Sequence, residues 1–453
     1  MGRAGTNKKE GFYMKNKKWM AILLGGIMAA SLAAPCSVSA AEKTTITFWH
    51  AMGGTNGEVL QQIVDDFNAS QDEIEIKAEY QGTYDDTITK LKAAMQSDSG
   101  LPDVCQMYDV GTKFMYDSGA VIPVEDKFES TGYDKSSVMD VISSYYTVEG
   151  KQYAMPFNVS TPMLYYNKDV FEAAGLDPET PPTTYDEVLE DAKKIVESGA
   201  APVGYSQAIY GWFFEQQLAG LGVTYGNNDN GRTEAVTAVD FDSNGGGLKV
   251  FDMWKKLYDS GYFEDYGTTT ADTQTAFFSG QVGMFIESTA ILKNAVDSSP
   301  FEVGTGYLPR IEQNDEGGVI IGGGSLWLTD TGNEANEDAA WKFIEYITTP
   351  DVQAKWSMGT GYFAINEKAY ETDDMKAYLK ENPNFETAIN QLKDSPVNCN
   401  TAGVLSGVQT EARLTFNEIM PQVYDGKLTT QDAVDQLAAS VNKAIENYNE
   451  SIK

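Results

Sequence analysis

The segment from Pro156 to Asp169 constrains the fold of this chain more than any other stretch. Its first part, up to Pro162, combines small polar residues with two prolines, a pattern that favours extended chain over helix. Met163–Tyr166 is apolar and predicts a buried strand, and the polar residues that follow predict a turn. We interpret the segment as the first crossing between two lobes, with Ser160 facing the cleft between them.

The residues before this crossing have the rhythm of an open α/β sheet. Thr45–His50 is β-branched and aromatic, as in a strand, and residues 73–80 alternate with period two. Between them, apolar residues recur at helical spacing from Val59 to Phe67. Strand, helix and strand in this order form a βαβ unit.

The predicted fold class is therefore α/β, a two-lobed fold in which each lobe is an open sheet flanked by helices and hinge crossings join the lobes. A length of 453 residues suits two domains of ordinary size. We expect residues 41–156 and 303–357 in the first lobe, and residues 157–302 and 358–453 in the second. In this interpretation Val303–Pro309 and Ile320–Thr329 both rejoin the first sheet.

Four loops are expected at one edge of the first sheet, because ligands in open α/β sheets lie beyond the carboxyl ends of the strands. These loops cover residues 50–56, 81–86, 109–112 and 156–161. The side chains that they bring to this edge are His50, Tyr84, Asp109 and Ser160.

The second half of the chain adds three candidate residues. Trp212 lies in the aromatic run Tyr210–Phe214, where it could pack in the core or form a wall of the cleft, whereas the two phenylalanines suit the core. Ser288 follows a predicted buried strand and offers a hydroxyl beside free backbone N–H groups to an anion. Arg413, on a predicted helix, could hold a phosphate or form a surface ion pair.

The amino-terminal residues predict export. A basic stretch at residues 15–18, an apolar run over residues 19–34 and small residues at 38–40 are typical of a signal peptide that covers residues 1–40 and is then removed. The alternative is a lipid anchor at Cys36, although proline precedes that cysteine.

The sequence lacks the residues or motifs that several classes of function require. The net charge of −33 opposes nucleic-acid binding, and a single histidine excludes a multi-histidine metal site. No phosphate-binding loop of nucleotide hydrolases is present, and we expect no cofactor and no metal. Cys105 and Cys399 leave the question of pairing open. Abundant carboxylates keep a glycoside hydrolase as an alternative, but aromatic, hydroxyl and glycine positions with one cation are typical of reversible binding of a small polar solute.

The chain resembles the extracellular solute-binding proteins of ABC importers, and within that family it is most similar to members that bind glycerol phosphates. The resemblance covers essentially the whole mature chain. It is carried by the segments Phe48–Met52, Gly82–Tyr84, Val110–Thr112, Pro156–Asp169, Ile320–Trp327 and Thr360–Tyr362.

This resemblance implies a site and a partner. The matching ligand-binding positions are Tyr84, Ser160, Ser288, Gly323, Tyr362 and Arg413. We expect Asp109 to bind the ligand as well, and Trp212 to form a wall of the cleft. Arg413, Ser288 and the Gly323 backbone would hold the phosphate of glycerol 3-phosphate or of a glycerophosphodiester, and Tyr84 and Asp109 its hydroxyls. Asp109 stands where the family has glutamate.

The family function is delivery of the solute to ABC permease subunits in the membrane, without catalysis. We therefore expect a monomer in the periplasm, or a cell-surface lipoprotein if Cys36 is retained. The alternatives are an oligosaccharide-binding protein, for which Trp49, Trp212 and Tyr362 would supply stacking, and a secreted carbohydrate-active hydrolase.

Overall fold

The computed structural model describes residues 43–97 and 100–452 of the chain. The predicted signal peptide at residues 1–40, with Cys36, lies outside the described residues. Within those residues, no helix combines the length and the apolar character that a membrane crossing requires. Cys105 and Cys399 are both free thiols.

The first part of the chain alternates strands and helices up to the predicted crossing. Its elements are β1 (Thr44–His50), α1 (Gly54–Ser70), β2 (Ile74–Tyr80), α2 (Tyr84–Met95), β3 (Val104–Tyr108), α3 (Thr112–Asp117), β4 (Val121–Ile122), α4 (Val124–Thr131), α5 (Asp140–Ser143), β5 (Thr147–Val148), β6 (Lys151–Gln152) and β7 (Met155–Ser160).

The middle part begins immediately after Thr161 and contains most of the second sheet. Its elements are β8 (Pro162–Asn167), α6 (Lys168–Ala173), α7 (Tyr185–Ser198), β9 (Val203–Ser206), α8 (Gly211–Gly220), α9 (Asn227–Gly231), α10 (Gly246–Asp259), α11 (Thr270–Phe278), β10 (Val282–Ser288), α12 (Leu292–Ser298) and β11 (Val303–Gly306).

One more strand and six helices complete the described chain, namely β12 (Gly322–Thr329), α13 (Glu334–Ile347), α14 (Pro350–Thr360), α15 (Asp373–Glu381), α16 (Asn384–Asp394), α17 (Gln409–Tyr424) and α18 (Thr430–Ser451). Short 3₁₀ helices lie at Asp109–Gly111, Lys135–Ser137, Ser144–Tyr146, Thr289–Ile291 and Glu367–Glu371.

Two main sheets organise these elements. The first has the order β2-β1-β3-β12-β4, and β7 also pairs with β12. In it β1 runs parallel to β2 and to β3, whereas β12 is antiparallel to its neighbours. The second sheet has the order β11-β8-β10-β9. We call the part built on each sheet the first and the second lobe. The predicted α/β architecture is confirmed, including the re-entry of the first sheet through β12.

The position of β11 corrects one expectation. Val303 was expected to return the chain to the first sheet, but β11 pairs antiparallel with β8 in the second sheet. Gly304 permits this pairing, because a side chain there would overlap the ring of Tyr166, with which it is paired. The second crossing therefore lies between β11 and β12, at residues 307–321.

Alternation along β8 explains how the second sheet is buried on both faces. Leu164 and Tyr166 belong to a core with α7, α10, α17 and α18. Met163 and Tyr165 face the other way, into a core that contains residues of α14 and α16. A strand buried on both faces reads as a continuous apolar run, which is what the sequence predicted here.

The helix starts follow ordinary capping rules. Thr83 caps α2 and Thr184 caps α7, and each forms a reciprocal capping box with the residue three positions later, Asp86 or Glu187. The cap at Thr83 fixes the first turn of α2 and so places Tyr84 at the edge of the first sheet.

Side-chain amides hold the two crossings together. Gln391 of α16 donates to the carbonyl oxygen of Pro162 at 2.7 Å and to Thr161 Oγ1 at 3.3 Å, and its Oε1 accepts the backbone N–H of Leu308. One buried side chain therefore binds both the first and the second crossing. Gln216 of α8 binds the N–H and the carbonyl of Ile320, each at 2.8 Å, near the end of the second crossing.

We predict that Gln391→Ala lowers the free energy of unfolding by about 2 to 4 kcal/mol, because it leaves backbone groups of both crossings buried without partners. Urea denaturation followed by circular dichroism measures this loss. The control is Gln61→Ala on the exposed face of α1, expected to change stability by less than about 0.5 kcal/mol. Equal effects for the two variants would contradict the role given to Gln391.

Candidate functional site

The edge of the first sheet holds a chain of hydrogen-bonded amide and phenol groups. The Tyr84 hydroxyl accepts Asn158 Nδ2 at 2.7 Å, and Asn158 Oδ1 accepts Gln106 Nε2 at 2.6 Å. The Tyr84 ring stacks on Tyr108, with 5.2 Å between centroids and 8° between planes.

His50, predicted at the same edge, is buried, and burial lowers its pKa to about 4. It is therefore a neutral acceptor for the Met52 N–H.

Arg413 lies at the centre of a buried ion cluster that joins the two lobes. Its Nε and Nη2 donate to the two carboxylate oxygens of Glu215, each at 2.7 Å. Its Nη2 also donates to Asp109 Oδ2 at 2.7 Å. All three side chains are at most 9% exposed. Glu215 is on α8 of the second lobe, whereas Asp109 follows β3 in the first lobe, so the cluster crosses the junction.

Electrostatics in this cluster oppose the cost of burial. Burial alone would lower the pKa of Arg413, but Asp109 and Glu215 outweigh it and raise that pKa well above its usual value. Burial raises the pKa of the Glu215 carboxyl, and the guanidinium acts against this. The sequence left two uses open for Arg413, phosphate binding or a surface ion pair. The pair exists, but it is buried and has two carboxylates.

Trp212 of α8 lies against the first sheet. Its side chain is buried, and the ring is so close to Gly322 that a Cβ there would come within 2.7 Å of Trp212 Cζ2. Its Nε1 has no hydrogen-bond partner in the described part of the chain. Phe213 and Phe214 are fully buried core residues, as predicted.

Ser160 and Ser288 lie on either side of the first crossing. Ser160 ends β7 and pairs with Gly322, the first residue of β12. Ser288 ends β10 opposite Pro162, and its Oγ accepts the Ala290 N–H at 3.1 Å. The predicted place of Ser288, between a strand end and a helical turn, is confirmed, and its hydroxyl already caps that turn.

Gly323 and Tyr362 complete the site on the side of β12. Gly323 has φ +94°, and a Cβ there would lie 1.8 Å from the carbonyl oxygen of Asn158. Tyr362 is buried and stacks on Trp356 at 5.6 Å. Burial raises the pKa of Tyr362, and hydrogen bonding to Asn158 and Tyr84 acts in the opposite direction. Tyr362 therefore joins the amide and phenol group of the first sheet.

These contacts bring the eight predicted residues to the junction of the lobes in three groups. Tyr84, Gly323 and Tyr362 surround Asn158, and Asp109 and Arg413 share a hydrogen bond. Ser160, Trp212 and Ser288 lie around the first crossing.

Comparison with known proteins places this architecture in a family. A family model described as bacterial extracellular solute-binding protein matches residues 62–387. This chain belongs to that family. It is 31% identical to the sn-glycerol-3-phosphate-binding periplasmic protein UgpB of Escherichia coli strain K12 over 417 residues, which cover 90% of this chain and 94% of the relative.

Solved structures show the same fold. UgpB of Mycobacterium tuberculosis in complex with glycerophosphocholine has a TM-score of 0.76 at 21% identity and covers 90% of this solute-binding protein and 100% of its own chain. The cyclic α-maltosyl-1,6-maltose binding protein of Arthrobacter globiformis has a TM-score of 0.74 at 26% identity, with the same coverage. The predicted two-lobed binding-protein fold is confirmed.

Sequence reasoning missed two residues of this solute-binding protein's junction. Asn158 is fully buried and connects Tyr84 to Gln106. Glu215 directly follows the aromatic run and is buried with it. A carboxylate inside an apolar helix was the available signal, because a buried charge requires a partner.

We predict that Gly323→Ala costs more than about 3 kcal/mol of stability, because it combines backbone strain with a clash that separates β12 from β7. The matched control is Gly332→Ala, where φ is +68° and no atom lies within 4 Å of the added Cβ. That variant has only the strain, about 1 kcal/mol. Chemical denaturation of both measures the difference, and equal losses would rule out the clash.

Proposed function

We propose that this protein is the exported receptor of an ABC importer and that it binds glycerol 3-phosphate or a glycerophosphodiester between its lobes. The main support for a phosphate ligand is the buried guanidinium of Arg413 at the junction. Among the described residues, its Nη1 donates no hydrogen bond, so Nη1 is available to donate to an anion. The names of UgpB and of its glycerophosphocholine complex support this solute class.

Binding proceeds by closure of the lobes. Opening at the crossings separates Asp109 from Arg413, since they belong to different lobes, and exposes the guanidinium. The phosphate then accepts from Arg413, with Ser288 and the Gly323 backbone beside it. Tyr84 and Asp109 hold hydroxyls of the solute, Ser160 lies at the floor, and Trp212 forms a wall. Contacts from both lobes favour the closed form.

The receptor releases its solute unchanged to the permease subunits. It acts as a monomer, exported by the signal peptide at residues 1–40 and free in the periplasm, or anchored at Cys36. Incubation with glycosides and phosphodiesters tests the absence of catalysis. Steady product release would favour the hydrolase alternative.

A second candidate is an oligosaccharide receptor, favoured by the charge of the ion cluster. Arg413 already has two carboxylate partners, and aromatic rings of Tyr84, Tyr362 and Trp212 surround the junction. Similarity to a maltosyl-maltose binding protein supports the same alternative. Calorimetric titration with glycerol 3-phosphate, glycerophosphocholine and maltose separates the two candidates.

We predict that Arg413→Ala weakens binding of the phosphate ligand at least about 30-fold, because truncation of a buried charged contact costs 2 kcal/mol or more. Arg413→Lys keeps the charge but loses the bidentate geometry, so we expect an intermediate loss. The lysine variant also tests the site if the alanine variant does not fold. The control is Arg310→Ala, an exposed arginine in the second crossing. Unchanged phosphate affinity in both Arg413 variants would contradict the proposed site.

A further inference from the structure

The ion cluster has an excess of negative charge. Two carboxylates, Asp109 and Glu215, share the single guanidinium of Arg413, and all three are buried. The formal sum is one negative charge at the place where the proposed phosphate must bind. In a buried site such a charge is weakly screened and acts on any anion nearby.

The two carboxylates differ in how they respond to opening of the lobes. Glu215 and Arg413 are both in the second lobe, where α8 packs directly on α17. The packing is close at Gly211, where a Cβ would lie 2.5 Å from the Arg413 Cα. Glu215 therefore stays with the guanidinium, whereas Asp109 leaves with the first lobe.

Glu215 also determines which donors remain. It takes Nε and one hydrogen of Nη2, and Asp109 takes the second hydrogen of Nη2. When Asp109 withdraws, the edge formed by Nη1 and Nη2 becomes available. That edge can donate to two oxygens of one phosphate, with Glu215 fixed on the adjacent edge.

Two other basic side chains close to this region already have hydrogen-bond or ion-pair partners. Arg232 donates to the backbone carbonyls of Tyr145, Ala402 and Gly403. Lys113, one turn after Asp109, pairs with Asp117. Neither donates to a bound anion, because backbone carbonyls take the N–H groups of Arg232 and Asp117 balances the charge of Lys113.

We propose that Glu215 is a specificity-determining residue, which with Asp109 makes the cleft select phosphate diesters over phosphate monoesters. This inference rests on the proposed function and narrows its solute class. A phosphate monoester carries about −1.5 to −2 at neutral pH, whereas a diester carries one negative charge. A diester adds one negative charge to this cluster and a monoester adds up to two, so repulsion by the two carboxylates is greater for the monoester.

The test is calorimetric titration of the whole mature protein at neutral pH with glycerol 3-phosphate, sn-glycero-3-phosphoglycerol and maltose. The glycerol headgroup of the diester is uncharged, so the comparison isolates the charge of the phosphate. We predict that the diester binds at least about 10-fold more tightly than the monoester, since like-charge juxtaposition costs more than 1 kcal/mol. Equal or tighter binding of the monoester would overturn the inference.

Glu215→Gln tests the residue itself. It keeps the shape and one acceptor for Arg413 but removes a negative charge, so the ratio of diester to monoester affinity should fall toward one. Glu215→Asp keeps the charge and should preserve the preference. The matched control is Asp103→Asn, another buried carboxylate, which lies just before β3, whereas Asp109 lies just after it. This control should leave the ratio unchanged.

The outcomes separate a failure of this inference from a failure of the proposed function. A folded Glu215→Gln variant with the unmodified ratio would overturn the role of Glu215. If that variant does not fold, the ratio of diester to monoester affinity in the unmodified protein tests the predicted selectivity. Binding of maltose without a response to either phosphate would overturn the proposed function, and this inference with it.

Discussion

The junction of the two lobes buries one guanidinium, whose charge must be neutralised there. Arg413 cannot be withdrawn from water without partners, because an isolated buried charge is very costly. Its partners come from different parts of the chain, Glu215 from the same lobe and Asp109 from the other. The hydrogen bond to Asp109 therefore joins the two lobes, and residues of both lobes balance the charge of the cluster.

The rest of the fold delivers these groups to one place. The parallel strands β1, β2 and β3 end at the same edge, which puts Asp109 near Tyr84. Gly323, without a side chain, lets β12 approach the Asn158 carbonyl and keeps that edge narrow. Gln391 ties the two crossings to one helix, so they form one mechanical unit. In the proposed closure, bending at these crossings would move Asp109 relative to Arg413.

Local patterns in the sequence predicted much of this. Alternation and helical spacing gave the βαβ unit, and the rule for strand ends placed Tyr84, Asp109 and Ser160 at one edge. The sheet of β11 could not be predicted from a four-residue strand with two glycines. Its pairing with β8 places Gly304 against the Tyr166 ring, a contact that only glycine allows. That packing depends on tertiary contacts and leaves no periodic signal.

The contact between Glu215 and Arg413 also could not be predicted from local sequence patterns. The place of Glu215 after three aromatic residues indicated a buried charge, but its partner lies 198 positions later in the sequence. A buried carboxylate is stable only if a cation is fixed beside it, so α8 and α17 must pack in one register. In that register Glu215 holds the guanidinium in place and balances its charge. For the anion that we propose as ligand, the same pairing would fix the orientation of the guanidinium and reduce its attraction.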